Sequence, residues 1–223
     1  MSQGTKKQAS GRKRAFIAGG SVLGIAALAT AAAFTDWALL DLNGSGGFGG
    51  KENAYNIVVS AGQESSVDTV NTWVEANPDA ETVAPIVGAE ALIPGGDPLY
   101  VNLPVLNESV SMKSTLSFVL ENTTVEDPAN AAENAAYAEL MRFEVAQVDD
   151  ASTLPGSWVT VSPVSFGADG KTPTVTLSNL DPEAGSVIVL KVSLVEGANQ
   201  EATNAANGGT TSVQARFDGS SID

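Results

Sequence analysis

Beyond residue 50 the chain alternates apolar and polar positions with the period of a β-strand. Val187–Val195 shows it best: Ile188, Leu190, Val192 and Leu194 fall on one face, Lys191 and Ser193 on the other, as expected of a strand with one buried side. In Leu99–Leu106 the repeating positions are Leu99, Val101, Leu103 and Val105. Pro104 within that run predicts an edge strand or a bulge, because proline removes a ladder donor. Leu116, Phe118 and Leu120 against Thr115, Ser117 and Glu121 predict another strand. Tyr55–Ser60, Arg142–Val148, Trp158–Ser165, Thr174–Leu177 and Thr211–Phe217 bring the number to about eight.

One segment breaks the pattern. Asp127-Pro128 reads as an N-cap followed by proline at the first helical position, and the alanine-rich run continues to about Met141, predicting one helix near 128–141 inserted between strands. Residues 66–76 are ambiguous: Val67, Val70, Trp73 and Val74 fit helical spacing, but the residue types favour strand. With turn signals at Asp169-Gly170 and Asn207-Gly208-Gly209, the expectation is a mainly all-β, antiparallel β-sandwich forming a single domain over 51–223.

The N-terminus has another organisation. Arg12, Lys13 and Arg14 precede an apolar, Ala- and Gly-rich stretch from Ala15 to about Ala29, and Ala31 and Ala33 form an A-x-A arrangement before Phe34. This is the layout of a signal peptide over 1–33, cleaved at Ala33-Phe34; a retained membrane span is the weaker alternative, since strongly apolar residues are few. The expected location is extracellular or at the surface of a Gram-positive bacterium, with membrane contact only through the signal before cleavage. Residues 34–50 then comprise an apolar segment, with Phe34, Trp37, Ala38, Leu39, Leu40 and Leu42, and a glycine-rich hinge from Asn43 to Gly50. Such a segment predicts either a first strand packed on its own domain or one that docks into a neighbouring copy.

Composition narrows the chemistry. Removing residues 1–33 takes away five of eleven basic side chains and none of the 26 acidic ones, so the formal charge moves from −15 to −20. Such a surface disfavours nucleic acid. The absence of cysteine excludes disulfides, and the absence of histidine removes the commonest general base and transition-metal ligand. No Asp-Thr-Gly or Asp-Ser-Gly signature is present. No enzymatic activity and no cofactor are therefore expected. Weak calcium binding by Asp149-Asp150 or Asp79 and Glu81 has suitable oxygen ligands but no Asp-x-Asp-x-Asp-Gly loop.

Three stretches resemble one family. These are the junction Ala33-Phe34-Thr35-Asp36; the turn Leu92-Ile93-Pro94-Gly95-Gly96-Asp97 before a strand through Val101 and then Asn107; and Ala198-Asn199-Gln200 followed by a Gly-rich gap and Val213 to Phe217. In this order they resemble the exported fibre proteins of the TasA and camelysin group, over the signal and residues 34–60, 92–121 and 186–217. The helix near 128–141 and residues 66–90 have no counterpart. The resemblance implies a jelly-roll sandwich, cleavage by a SipW-type signal peptidase before an aromatic-x-Asp stretch, and a closing hairpin at the C-terminus. It also implies assembly into biofilm-matrix or surface fibres, with the freed segment (Phe34, Trp37, Ala38, Leu39, Leu40, Leu42) adding a strand to a neighbouring copy. A metalloprotease label borne by some members is disfavoured here by the lack of histidine. The alternative is a monomeric surface adhesin or glycan-binding module using Trp73, Trp158, Tyr55 and Tyr100; two of these rings side by side and exposed would favour it.

Overall fold

A computed structural model describes residues 55–77, 79–125, 127–161 and 166–222. They lie within the unit Gly49–Asp223. Eight strands form two antiparallel sheets: β1 (Ile57–Val59), β2 (Leu99–Asn107), β3 (Lys113–Asn122), β4 (Met141–Val148), β5 (Val159–Thr160), β6 (Val175–Thr176), β7 (Gly185–Leu194) and β8 (Val213–Ile222). The larger sheet has the order β1-β2-β7-β4-β5 and the smaller β6-β3-β8. Among the described residues two α-helices, α1 (Ala131–Leu140) and α2 (Gln200–Ala205), and two 3-10 turns, Val67–Thr69 and Ala89–Ala91, accompany the strands. This is a mainly β sandwich with a helical insertion, as the alternation predicts.

The core forms where the inner faces meet. Val101, Leu103 and Val105 of β2 and Phe143 and Val145 of β4 pack in one cluster with Leu116, Phe118 and Leu120 of β3. Ile188, Leu190 and Leu194 of β7 join them as the alternation requires. Phe118 and Val105 are fully buried; removing a side chain of this kind typically costs about 3–5 kcal/mol for Phe, through lost transfer energy and the cavity left behind. Asn107, at the end of β2, is equally buried. Its amide donates to the Met112 and Asp181 carbonyls (2.8 and 3.1 Å), and its oxygen accepts from the Ser109 N–H (3.1 Å). A buried amide satisfied in this way pins the β2–β3 turn to the loop before β7.

Four details depart from expectation. Pro104 lies in an interior strand, opposite Val187 of β7. It is tolerated because its carbonyl faces the Ser60 N–H (3.1 Å), just past the end of β1, so the missing donor falls beside the stub rather than within a full ladder. The helix begins at Ala131, not Pro128; Asp127 caps a preceding turn, its carboxylate accepting from the Ala129 N–H at 2.9 Å. Residues 66–76 form neither long helix nor strand, but a 3-10 turn at Val67–Thr69 and isolated bridges from Ser66 to Asp150 and from Val74 to Val59. Finally, β7 and β8 are not a closing hairpin. They lie in opposite sheets, joined through α2, which the Asn199 side chain caps by accepting from the Ala202 N–H (2.9 Å). Of the strand expected over Trp158–Ser165, Val159–Thr160 is observed, and 162–165 lie outside the described residues.

Candidate strand-acceptor trough

β8 is the element that builds the site. Among the described residues it pairs only with β3, in a ten-residue register from Lys113↔Ile222 to Asn122↔Val213. The other sheet edges are short: β5 and β6 have two residues each, and β1 has three, with its free side bridged to Val74. Among the described residues β8 is thus the one long strand with no partner strand anywhere along one edge, and such an edge is a template for another strand.

The inner face beside that edge is apolar and incompletely covered. Phe118 and Phe217 are direct cross-strand partners with ring centroids 5.3 Å apart. Phe118 is fully buried, whereas Phe217 is only partly so, as are Val213 and Ala215 on the same face. Across the gap Ile57 and Val59 of β1 and Val192 of β7 are also partly buried against the core. Together they line an open trough of about 1850 Å³, larger than the roughly 300–1,000 Å³ of small-molecule pockets. Tyr137 of α1 lines it too, and burial pushes its phenol pKa up. The Thr211 hydroxyl, just before β8, is buried with no hydrogen-bond partner among the described residues.

The trough narrows at one end. Tyr55, before β1, hydrogen-bonds Ser114 of β3 (2.7 Å) across the two sheets. Gly219 of β8 permits this approach, since a Cβ there would stand 2.3 Å from the Tyr55 hydroxyl. On the outer face of the smaller sheet the charges are paired: Arg216 with Asp218 on β8 (2.7 Å), and Glu121 of β3 with Lys171 (2.6 Å). The Lys171 hydrogen bond is the chief cause holding the Glu121 carboxyl below its ordinary range. Apolar inside and ion-paired outside, the edge can accept main-chain hydrogen bonds and apolar side chains; it carries no constellation of nucleophile and base.

The processing residues Ala31 and Ala33 and the segment Phe34, Trp37, Ala38, Leu39, Leu40 and Leu42 lie outside the described residues. Of the four aromatic residues considered for a glycan site, the structure brings together Tyr100 and Trp158, leaving Tyr55 at the trough end and Trp73 in the 70–76 connection. Among the described residues no group of three or more acidic side chains is arranged to hold a metal; Asp150 instead accepts from the Ser152 N–H (2.6 Å), the bond that lowers its pKa. No helix among them is long and apolar enough to cross a membrane. The trough itself was not legible in the sequence, though the alternation Val213, Ala215, Phe217 marks the face that lines it. The fold and this edge define an antiparallel β-sandwich in which, among the described residues, one long strand is left at an open sheet edge. No protein-family model matches the chain, and no curated protein matches it either.

Proposed function

We propose that the protein is a secreted, non-catalytic structural subunit of cell-surface or biofilm-matrix fibres, in which residues 34–42 of one molecule add a strand to β8 of the next. The carrying observation is the incomplete burial of Val213, Ala215 and Phe217 beside the edge of β8, a core face that no strand among the described residues covers. Residues 34–42 suit the task. Nine residues extend about 30 Å at roughly 3.3 Å each, close to the length of β8. Phe34, Ala38, Leu40 and Leu42 share one face of that strand. The glycine-rich hinge supplies reach, and a head-to-tail contact of this type generates open filaments. A signal peptidase of the SipW type, cutting between Ala33 and Phe34, would release the segment from the membrane and so license assembly.

The same segment could instead cover β8 of its own molecule, and a cysteine-free chain permits a clean test. Leu40→Cys in one preparation is mixed with Val213→Cys, Ala215→Cys or Phe217→Cys in another, under mild oxidation. A disulfide between the two chains, together with filaments that disappear when 34–42 are deleted, is the expected result. A crosslink that forms only when both cysteines are on one chain, or a deletion that unfolds the domain, makes the segment an intramolecular strand and ends the fibre reading.

A further inference from the structure

The outer face of the five-stranded sheet carries a second feature, independent of the trough. Register places Tyr100 of β2, Lys191 of β7, Glu144 of β4 and Thr160 of β5 in one cross-strand row. Trp158, at the entry to β5, sits over it. Its ring centroid is 5.8 Å from that of Tyr100, with the planes inclined at 40°, and the Lys191 Nζ stands 5.7 Å from the indole centroid. We propose that Tyr100 and Trp158 form a binding site for a neutral β-linked oligosaccharide.

Three observations lead to this ligand class. First, Tyr100 is 37% exposed and Trp158 beside it is half-buried, on a face where Val189 and Ala146 one row away are buried. An aromatic pair serving only as packing would be covered, with its polar atoms satisfied. Second, the polar atoms are unspent: the Tyr100 hydroxyl, the Trp158 indole N–H, the Asn102 amide and the Thr160 hydroxyl make no hydrogen bond to other described residues. They offer both donors and acceptors beside the rings, matching the alternation of CH face and hydroxyl rim on a pyranose. Third, Lys191 and Glu144 neutralise one another at 2.5 Å. The rings therefore sit on a neutralised ion pair, with the Arg142 guanidinium, bonded to the Glu139 and Met141 carbonyls, one row away; the formal charge of −15 on the chain selects against anionic polymers. Two inclined rings suit two successive sugars whose stacking faces are rotated by a β-linkage. Few polar groups placed around an aromatic surface are the usual composition of such sites.

The test is calorimetric titration of the intact chain with cellohexaose and with chitohexaose, and with Tyr100→Ala, Trp158→Ala and Tyr100→Phe. Saturable binding of at least one sugar in the millimolar range or tighter is expected. Each alanine variant should lose about tenfold or more in affinity, and Tyr100→Phe, which keeps the ring, only a few-fold. Amide shifts on sugar addition should map to Tyr100, Asn102 and Thr160, a readout that needs no variant to fold. No heat with either sugar, equal affinity in both ring variants, or shifts confined to another face would each overturn the proposal. None of these outcomes bears on strand exchange, because the trough opens between the inner faces of the sheets.

Discussion

Ala215→Asp is the sharpest probe of the trough. Ala215 points from β8 into the gap and is partly buried there, so in an uncovered domain the new carboxylate reaches solvent through the open side. Covering β8 with a strand would enclose it among Phe217, Val213 and Ile57. A buried carboxyl escapes the charge penalty by taking up a proton. With an ordinary pKa of about 3.9 and about 1.36 kcal/mol per pH unit, that costs about 4 kcal/mol at pH 7 and about 1.5 kcal/mol at pH 5. These are ceilings on the ionic part of the penalty. The critical concentration for filaments, relative to the wild type, should therefore rise up to about a thousandfold at pH 7 and about tenfold at pH 5. Light scattering over concentration at both pH values measures this, with a 34–42 deletion checked by urea denaturation to confirm that the isolated domain tolerates the change. Ser220→Asp adds the same charge to the outward, exposed face of the same strand and should change little. If Ala215→Asp assembles like the wild type at pH 7, or if Ser220→Asp is equally impaired, β8 is not the acceptor.

Two further outcomes test the fold beneath the site. Asn107→Ala should destabilise by about 2–4 kcal/mol in urea unfolding, because it strands the Met112 carbonyl and the Ser109 N–H, while the Asp181 carbonyl keeps its bond from the Ala184 N–H (3.1 Å); a loss below about 0.5 kcal/mol would show that water replaces the amide without cost. Glu121, whose carboxyl pKa is lowered chiefly by the Lys171 hydrogen bond, stabilises the folded chain above the unfolded-state pKa, and that contribution is lost as pH falls through the lower folded value. Glu121→Gln should thus reduce stability at neutral pH and flatten the part of the acid limb below pH 4.5, where the ordinary Glu value lies; an unchanged limb in denaturation curves recorded from pH 7 to 2.5 would contradict the assignment.

Much of the local structure was legible before any coordinates. The period-two pattern of β7 correctly assigns Ile188, Leu190 and Leu194 to the core, since alternation reports the buried face directly. The alanine run gave the inserted helix because its residues favour helix intrinsically. α2 escaped notice: six residues carry little periodicity, and the one signal, Asn199 as a capping residue, is equally common in turns. Pro104 misled because a proline argues only about its own missing donor, whereas its tolerance depends on where β1 happens to end.

By itself, then, the sequence determined which segments become strands, which side of each is apolar, the acidity of the chain, and the apolar run near its start that carries the expectation of export. Only the tertiary structure decided how eight strands divide into sheets of five and three, that β8 has no partner among the described residues along one ten-residue edge, and that Tyr100 and Trp158 meet above Lys191. The reason is physical. Alternation specifies a face and not a neighbour, and the entropy of closing a loop changes slowly with its length. Pairing between distant strands is therefore settled by the joint packing of all of them, and an unfilled place in that packing is visible only once every other strand has been put in position.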